Sequence, residues 1–303
     1  MRLLSDRPST LTSIAYRQAR PGGGSESAVL PVQRIIADGL PSGCRAVLVA
    51  GDLQGVAPSP FGGDPVLLGL TLADHLGLWA GQGLVPPPAE VGVVLAGDLY
   101  AAPGADRRGA SGEVADVWLA FAAAGCAFVI GVAGNHDVID AGRLAALGPS
   151  MTSPGTVRSP GTGRPAVPRA AEASPESRGG RPVPLGPTMT LLDGEAVAVG
   201  GVTIGGLGGV IGDPARPHRR TREDFLGGLG RLLDDGPPDV MVLHEGPSGG
   251  PGRLGDEDVR RRLARRPPPL TVCGHVHWPE PVAALGAGRV LNVDGRAVLL
   301  AAV

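Results

Sequence analysis

Five short apolar runs, each stopped by a glycine or by a side chain that can ligate a cation, constrain this chain more than any other feature. Arg45–Ala50 (RAVLVA) leads into Gly51-Asp52, and Val91–Ala96 (VGVVLA) leads into Gly97-Asp98. Ala127–Ala133 (AFVIGVA) leads into Gly134-Asn135-His136-Asp137, Val240–Leu243 (VMVL) into His244, and Leu270–Cys273 (LTVC) into Gly274-His275. Runs this short and this continuous predict strands buried on both faces.

Helical spacing lies between them. Leu68, Leu72, Leu76 and Trp79 share one stripe, and Val114, Val117, Trp118 and Phe121 share another. Alternating strands and helices predict a mostly parallel sheet with helices on its faces. Thr221 is the expected N-cap of a third helix with Phe225, Leu229 and Leu232 on one side. A fourth starts near Asp256 and ends in Arg260–Arg266, where cations complement the helix dipole. His75 lies within the first helical stripe and reads as structural. Residues 148–187 have few large apolar side chains and much Pro, Ser, Gly and Arg, which predicts a flexible insertion in a single domain spanning 1–303. Beyond it, Thr188–Leu192, Ala196–Val199 and Val202–Ile204 suggest a β-meander. Arg289–Val293 and Ala297–Ala302 suggest a closing hairpin about Asp294-Gly295.

Composition excludes several classes. With 43% hydrophobic residues in 303, the chain can bury a large core. A net charge of -2 argues against a polyanion-binding surface, so nucleic acid is not favoured as a partner. All 27 basic residues are arginine, alongside 50 glycines and 31 prolines. That is the mark of coding bias, so neither arginine nor glycine counts by itself as a functional signal. Cys44, Cys126 and Cys273 are odd in number and far apart, which predicts buried thiols and a reducing, cytoplasmic setting. Met1 to Arg20 contains no continuous apolar stretch of signal-peptide length, and no segment approaches the ~20 apolar residues of a membrane span. Oligomeric state is unspecified.

The strand ends carry the chemistry. His136, His244, His275 and His277 follow predicted strands, as do Asp52, Asp98 and Asn135. Ligands of open α/β sheets bind outside the carboxyl ends of the strands. A single Gly-Asp is more often a turn and a single strand-end histidine more often structural. Five strands delivering such residues to one edge are not explained that way.

The order of these motifs resembles the calcineurin-like metallophosphoesterase superfamily. That family runs Asp-x-His, Gly-Asp, Gly-Asn-His-Asp/Glu, a lone His, then Gly-His-x-His. Here the same positions read Asp52-Leu53-Gln54, Gly97-Asp98, Gly134-Asn135-His136-Asp137, His244, and Gly274-His275-Val276-His277. The resemblance implies a four-layer α/β/β/α sandwich of two mixed sheets flanked by helices, with metals on the loops at one edge. It also implies two divalent ions, Mn²⁺ first, with Fe, Zn or Mg as alternatives. Asp52, Gln54 and His277 would bind one ion, Asp98 would bridge, and Asn135, His244 and His275 would complete the other. A metal-bridging hydroxide would then attack phosphorus. His136 is assigned to the leaving oxygen or the phosphate, and Asp137 to orienting a histidine or capping a helix. Gln54 departs from the family's histidine, and an amide oxygen binds zinc, copper or iron more weakly than imidazole does.

Arg108, in Asp106-Arg107-Arg108-Gly109, could clamp a phosphate, as could Pro217-His218-Arg219-Arg220. Both also fit solvated loops. Two functions follow. One is a hydrolase of phosphate mono- or diesters, acting on a phosphorylated small molecule or a phosphoprotein. The other is a non-catalytic binding or scaffold protein on the same fold with a degraded metal site, which Gln54 motivates.

Overall fold

A computed structural model describes residues 1–140, 142, 189–234 and 236–303, together with the backbone of Val183–Pro184. Nearly all of the proposed 148–187 insertion therefore lies outside the described residues. Two mixed sheets dominate, one of eleven strands and one of six. Four described helices, Leu68–Gly81, Ala115–Ala123, Arg222–Asp234 and Glu257–Arg265, pack on them.

Alternation along the buried strands generates the layers. In Ala46–Gly51, Leu48 and Ala50 face a core shared with Leu68, Leu72, Trp118 and Phe121 of the first two helices. Val47 and Val49 point the other way, into a core shared with Ile204, Val240, Val242, Leu270 and Val272 of the second sheet. The second sheet repeats the scheme, since Met241 and Leu243 meet Phe225, Leu229, Val259 and Leu263 of the last two helices. Side chains at successive positions serve opposite faces, so a strand between two layers must be apolar throughout. Each large buried side chain contributes about 1.5–3 kcal/mol. The result is helix, sheet, sheet, helix, as the motif resemblance implies.

Caps fall where the residue types predict. The Thr221 hydroxyl accepts from the Asp224 N–H at 3.1 Å. Asp256 accepts from the N–H groups of Asp258 and Val259. His75 bonds the Thr71 carbonyl within its helix and stacks near Trp79, a structural role. Cys126 and Cys273 are buried, whereas Cys44 is half-exposed, and all three are free thiols.

Two local expectations fail for one reason: short strands do not reveal which sheet they join. Met189–Leu191 runs parallel to Phe128–Gly131 in the large sheet, whereas Glu195–Val199 and Val202–Leu207 pair in the small one, so there is no meander. The expected closing hairpin is a crossover. Gly288–Asn292 lies in the small sheet, while Arg296–Ala301 lies in the large one between Ala46–Gly51 and Ser25–Asp38.

The N-terminal stretch holds an element that apolar runs do not announce. Ser9–Ala19 and Ser25–Asp38 form a long antiparallel hairpin that extends the large sheet. Its alternation is visible in burial: Leu30 and Val32 join the helix-side core, and Ile35 and Ala37 the core between sheets. No helix among the described residues is long and apolar enough to cross a membrane.

Candidate metal centre

Ala46–Gly51, Val91–Leu95 and Phe128–Gly131 run parallel, so their carboxyl ends share one edge of the large sheet. Val240–Glu245 and Leu270–Gly274 are likewise parallel neighbours in the small sheet. Where these strands stop, the chain turns sharply. Among the described residues, five non-glycine residues have positive φ, and three are strand-end ligand candidates: Asp52 at 51°, Asp98 at 54° and His275 at 68°. Such conformations cost on the order of 1 kcal/mol or more and persist only where surrounding contacts enforce them.

Those contacts are present. The Asp52 N–H donates to the Gly97 carbonyl at 2.9 Å, and Asp52 Oδ2 accepts from the His275 N–H at 2.9 Å. Asp98 Oδ1 accepts from the His136 N–H at 2.8 Å, and Asp98 Oδ2 from Gln54 Nε2 at 2.8 Å. Two glycines allow this closeness: a Cβ on Gly134 would lie 2.1 Å from Asp98 Oδ1, and one on Gly274 2.2 Å from Asp52 Oδ2. Their value is the missing side chain, since neither has positive φ.

Asp137 corrects an expectation. It neither orients a histidine ring nor caps a helix, and it is not in place to act on substrate. Its Oδ2 accepts from the N–H groups of Asp98 and Gly134, each at 2.8 Å, and its Oδ1 accepts from Leu99 N–H at 2.7 Å. Only 1% exposed, it staples the Asp98 loop to the Asn135 loop. Burial first, then the nearby Asp98 charge, pushes its pKa up to about 6 against the pull of those N–H groups.

Among the described residues, Asp98, His244 and His275 form a group whose ligating atoms all lie within 4.8 Å of one another. His244 Nδ1 lies 2.8 Å from the Ala96 carbonyl, which can only accept, so Nδ1 carries a proton and Nε2 is the nitrogen turned towards Asp98. That Nε2 is 3.5 Å from Asp98 Oδ2, and the ring is fully buried. His244 Nε2 and Asn135 Oδ1 are buried without a hydrogen-bond partner among the described residues. Buried polar atoms without a partner are rare in folded proteins and call for an ion or a water.

Electrostatics favour a cation here. Burial opposes a charge on His244, but the Asp98 and Asp52 carboxylates prevail and push its pKa up to about 10. His275 goes the other way, down to about 4, through burial and the neighbouring His244. Burial also raises the Asp52 carboxyl well above the ordinary range. Burial works against ionisation of Asp98 too, yet His244 beside it holds it below its ordinary value. The donor set of carboxylates, imidazoles and amides suits divalent ions of the Mn²⁺, Fe²⁺ or Zn²⁺ type.

The remaining predicted residues are placed unevenly. Gln54 touches Asp98 through its amide nitrogen, which leaves its oxygen for other partners. His277 stands apart from the Asp98 group, 61% exposed and 3.4 Å from Asp294. Both line a cleft of about 590 Å³ together with Asp52, Asp98 and His275. His136 is half-exposed on the same cleft, its Nδ1 3.2 Å from Ser111 Oγ. Arg107 and Arg108 form part of the cleft wall. Of the 217–220 run, Arg220 is held by Asp193, and Arg219 is near enough to help depress His275.

Asp294, Arg296 and the hairpin residues Tyr16, Gln18 and Glu26 went unanticipated. Asp294-Gly295 follows an apolar run just as the other strand-end acids do, which was a usable signal. The Tyr16 hydroxyl donates to Gln18 Oε1 at 2.8 Å, and Gln18 Nε2 to Glu26 at 3.0 Å, forming a polar row on the cleft.

A protein-family model described as calcineurin-like phosphoesterase matches residues 45–279. Among solved structures, the chain is similar to TT1561 of Thermus thermophilus at 16% identity and a TM-score of 0.47, over 82% of this chain and 88% of that one. No curated protein matches the sequence.

Proposed function

This chain belongs to the calcineurin-like phosphoesterase family, and from that premise we propose that it hydrolyses phosphate mono- or diesters with two divalent ions bound in the cleft. The substrate is a phosphorylated small molecule or a phosphoprotein, and the setting is cytoplasmic. The observation that carries this reading is the pair of buried polar atoms without a hydrogen-bond partner, His244 Nε2 and Asn135 Oδ1, in a site that also holds Asp98 and His275.

Asp98, Asn135, His244 and His275 would hold one ion, and Asp52, Gln54 and His277 the other, with Asp98 shared. Bound divalent ions supply positive charge to the phosphate oxygens and make water acidic enough to attack phosphorus near neutral pH. The chain's own residues do the rest. Asp98, with Gln54 Nε2 at 2.8 Å and His244 Nε2 at 3.5 Å from its Oδ2, would be the carboxylate shared by the two ligand sets. His136 lines the cleft with Nδ1 at Ser111 and would assist the leaving oxygen, a role typically worth ~10²–10⁴-fold. Arg108 and its neighbour Arg107 line the cleft, where a guanidinium plane would suit bidentate contact with phosphate oxygens.

A degraded scaffold is the second reading, and Gln54 is what favours it. A site kept only for packing, however, has no reason to preserve buried polar atoms without partners at a cost of ~1–3 kcal/mol each. Purified protein given Mn²⁺ should hydrolyse p-nitrophenyl phosphate or its bis ester, and chelation should abolish turnover. Asp98→Asn and His275→Ala should each remove metal and activity together. Retained turnover in both variants rejects the assignment, and less than one bound ion per chain without turnover favours the scaffold.

A further inference from the structure

The crossover between the two sheets carries a carboxylate that belongs to none of the five motifs compared above. Asp294 follows Gly288–Asn292 of the small sheet and precedes Arg296–Ala301 of the large one. Its backbone bridges to Gly51, the residue before Asp52. Its N–H donates to Asn292 Oδ1 at 3.2 Å, and Asn292 Nδ2 donates to the Val276 carbonyl at 2.8 Å. The turn is thus tied to the loop of Asp52 and to the loop of His277.

Its side chain meets the one predicted ligand that stands away from the Asp98 group. Asp294 Oδ1 is 3.4 Å from His277 Nδ1. Arg296 Nη2 lies 3.4 Å from His277 Nε2 and 3.5 Å from Nδ1. Near-equal distances to both ring nitrogens put the guanidinium over the ring, not on one lone pair. Arg296 is anchored there by the Trp278 carbonyl at 2.5 Å. Asp294 is therefore the acceptor available to the Nδ1 proton of His277. A ring 61% exposed would otherwise lose conformational freedom when it binds an ion.

We infer that Asp294 is a positioning residue of the metal centre, holding the Nδ1 proton of His277 so that Nε2 remains for a cation. Carboxylates in that relation to a ligating histidine fix its tautomer and raise its basicity. The inference rests on the metal-dependent reading above. The unpartnered His244 Nε2 and Asn135 Oδ1 point independently to a cation in the same centre. Asp294 also adds a third carboxylate to Asp52 and Asp98, beside a neutral Gln54.

The test is calorimetric titration of Mn²⁺ into the full-length, metal-depleted protein. Wild type should take up two ions. Asp294→Asn should weaken one of them by about 10–100-fold and leave the other unchanged. Asp294→Glu should recover part of the loss, which covers the case in which the asparagine variant folds poorly. In a His277→Ala background, Asp294→Asn should add nothing, because the two act as a unit. Unchanged affinity in Asp294→Asn, or losses that add across the two variants, would overturn the inference alone. A wild-type protein that binds no Mn²⁺, Fe²⁺, Zn²⁺ or Mg²⁺ would overturn the metal-dependent reading with it.

Discussion

His244 presents Nδ1 to the Ala96 carbonyl at 2.8 Å, so a backbone oxygen at the end of another strand decides which of its nitrogens faces Asp98. The ring orientation is thereby set before any ion arrives, and Nε2 is left holding the proton that a cation would have to displace.

In metal-free protein the folded chain holds the His244 proton up to about pH 10, against 6.5 for the ordinary imidazole. This group's contribution to stability is complete below pH 6.5 and is lost as pH rises towards 10. Urea midpoints of chelator-treated protein should fall across that window. Below it, His275 and Asp137 act on stability in overlapping ranges, since one is lowered to about 4 and the other raised to about 6, and they leave no clear trend. Metal affinity should run the other way. A cation at Nε2 displaces the proton, so Mn²⁺ binding should strengthen up to about tenfold per pH unit and release about one proton at pH ~8. Titration in buffers of different ionisation enthalpy measures that proton directly.

Asp137→Asn should destabilise the fold by about 3 kcal/mol, because an amide NH₂ replaces one oxygen facing backbone donors that are buried with it. Metal affinity should fall as well, since the Asp98 and Asn135 loops lose their staple. Denaturant unfolding and metal titration on the same sample check both; full stability with two bound ions would contradict the bracing role.

Gln54→His should tighten Zn²⁺ or Fe²⁺ by at least about tenfold while changing Mg²⁺ little, because imidazole is the better ligand for the softer ions. Competition titrations with a chromophoric chelator would show it. Equal gains for all of these metals would mean that Gln54 stands outside the coordination sphere.

Gly134→Ala should abolish metal binding even where the protein still folds. Its new methyl would lie 2.1 Å from Asp98 Oδ1 and 2.2 Å from the Asp98 backbone nitrogen, so the loop that presents the carboxylate has to move as a whole. Native mass spectrometry of the variant, compared with wild type, reads the lost ions.

Much of this was legible in the sequence for a simple reason. Strands buried on both faces are apolar at every position, so their ends stand out, and Asp52, Asp98, Asn135, His244 and His275 sit at those ends. The hairpin Ser9–Asp38 escaped because one face of its strands is exposed and its apolar residues are spaced by polar ones. Asp294 escaped because Asp-Gly after a strand reads equally well as a hairpin turn, and only tertiary pairing reveals a crossover. Asp137 was misjudged because sequence shows its neighbours along the chain but not the Asp98 loop lying across from it.

The hairpin sets Tyr16, Gln18 and Glu26 along the cleft, yet it precedes residues 45–279, where the family match lies. The strand ends that present the proposed ligands and the hairpin rim of the cleft are thus encoded in separate stretches of the chain. Lengthening, trimming or exchanging the hairpin tip would reshape the clientele without disturbing the strands that deliver the ligands.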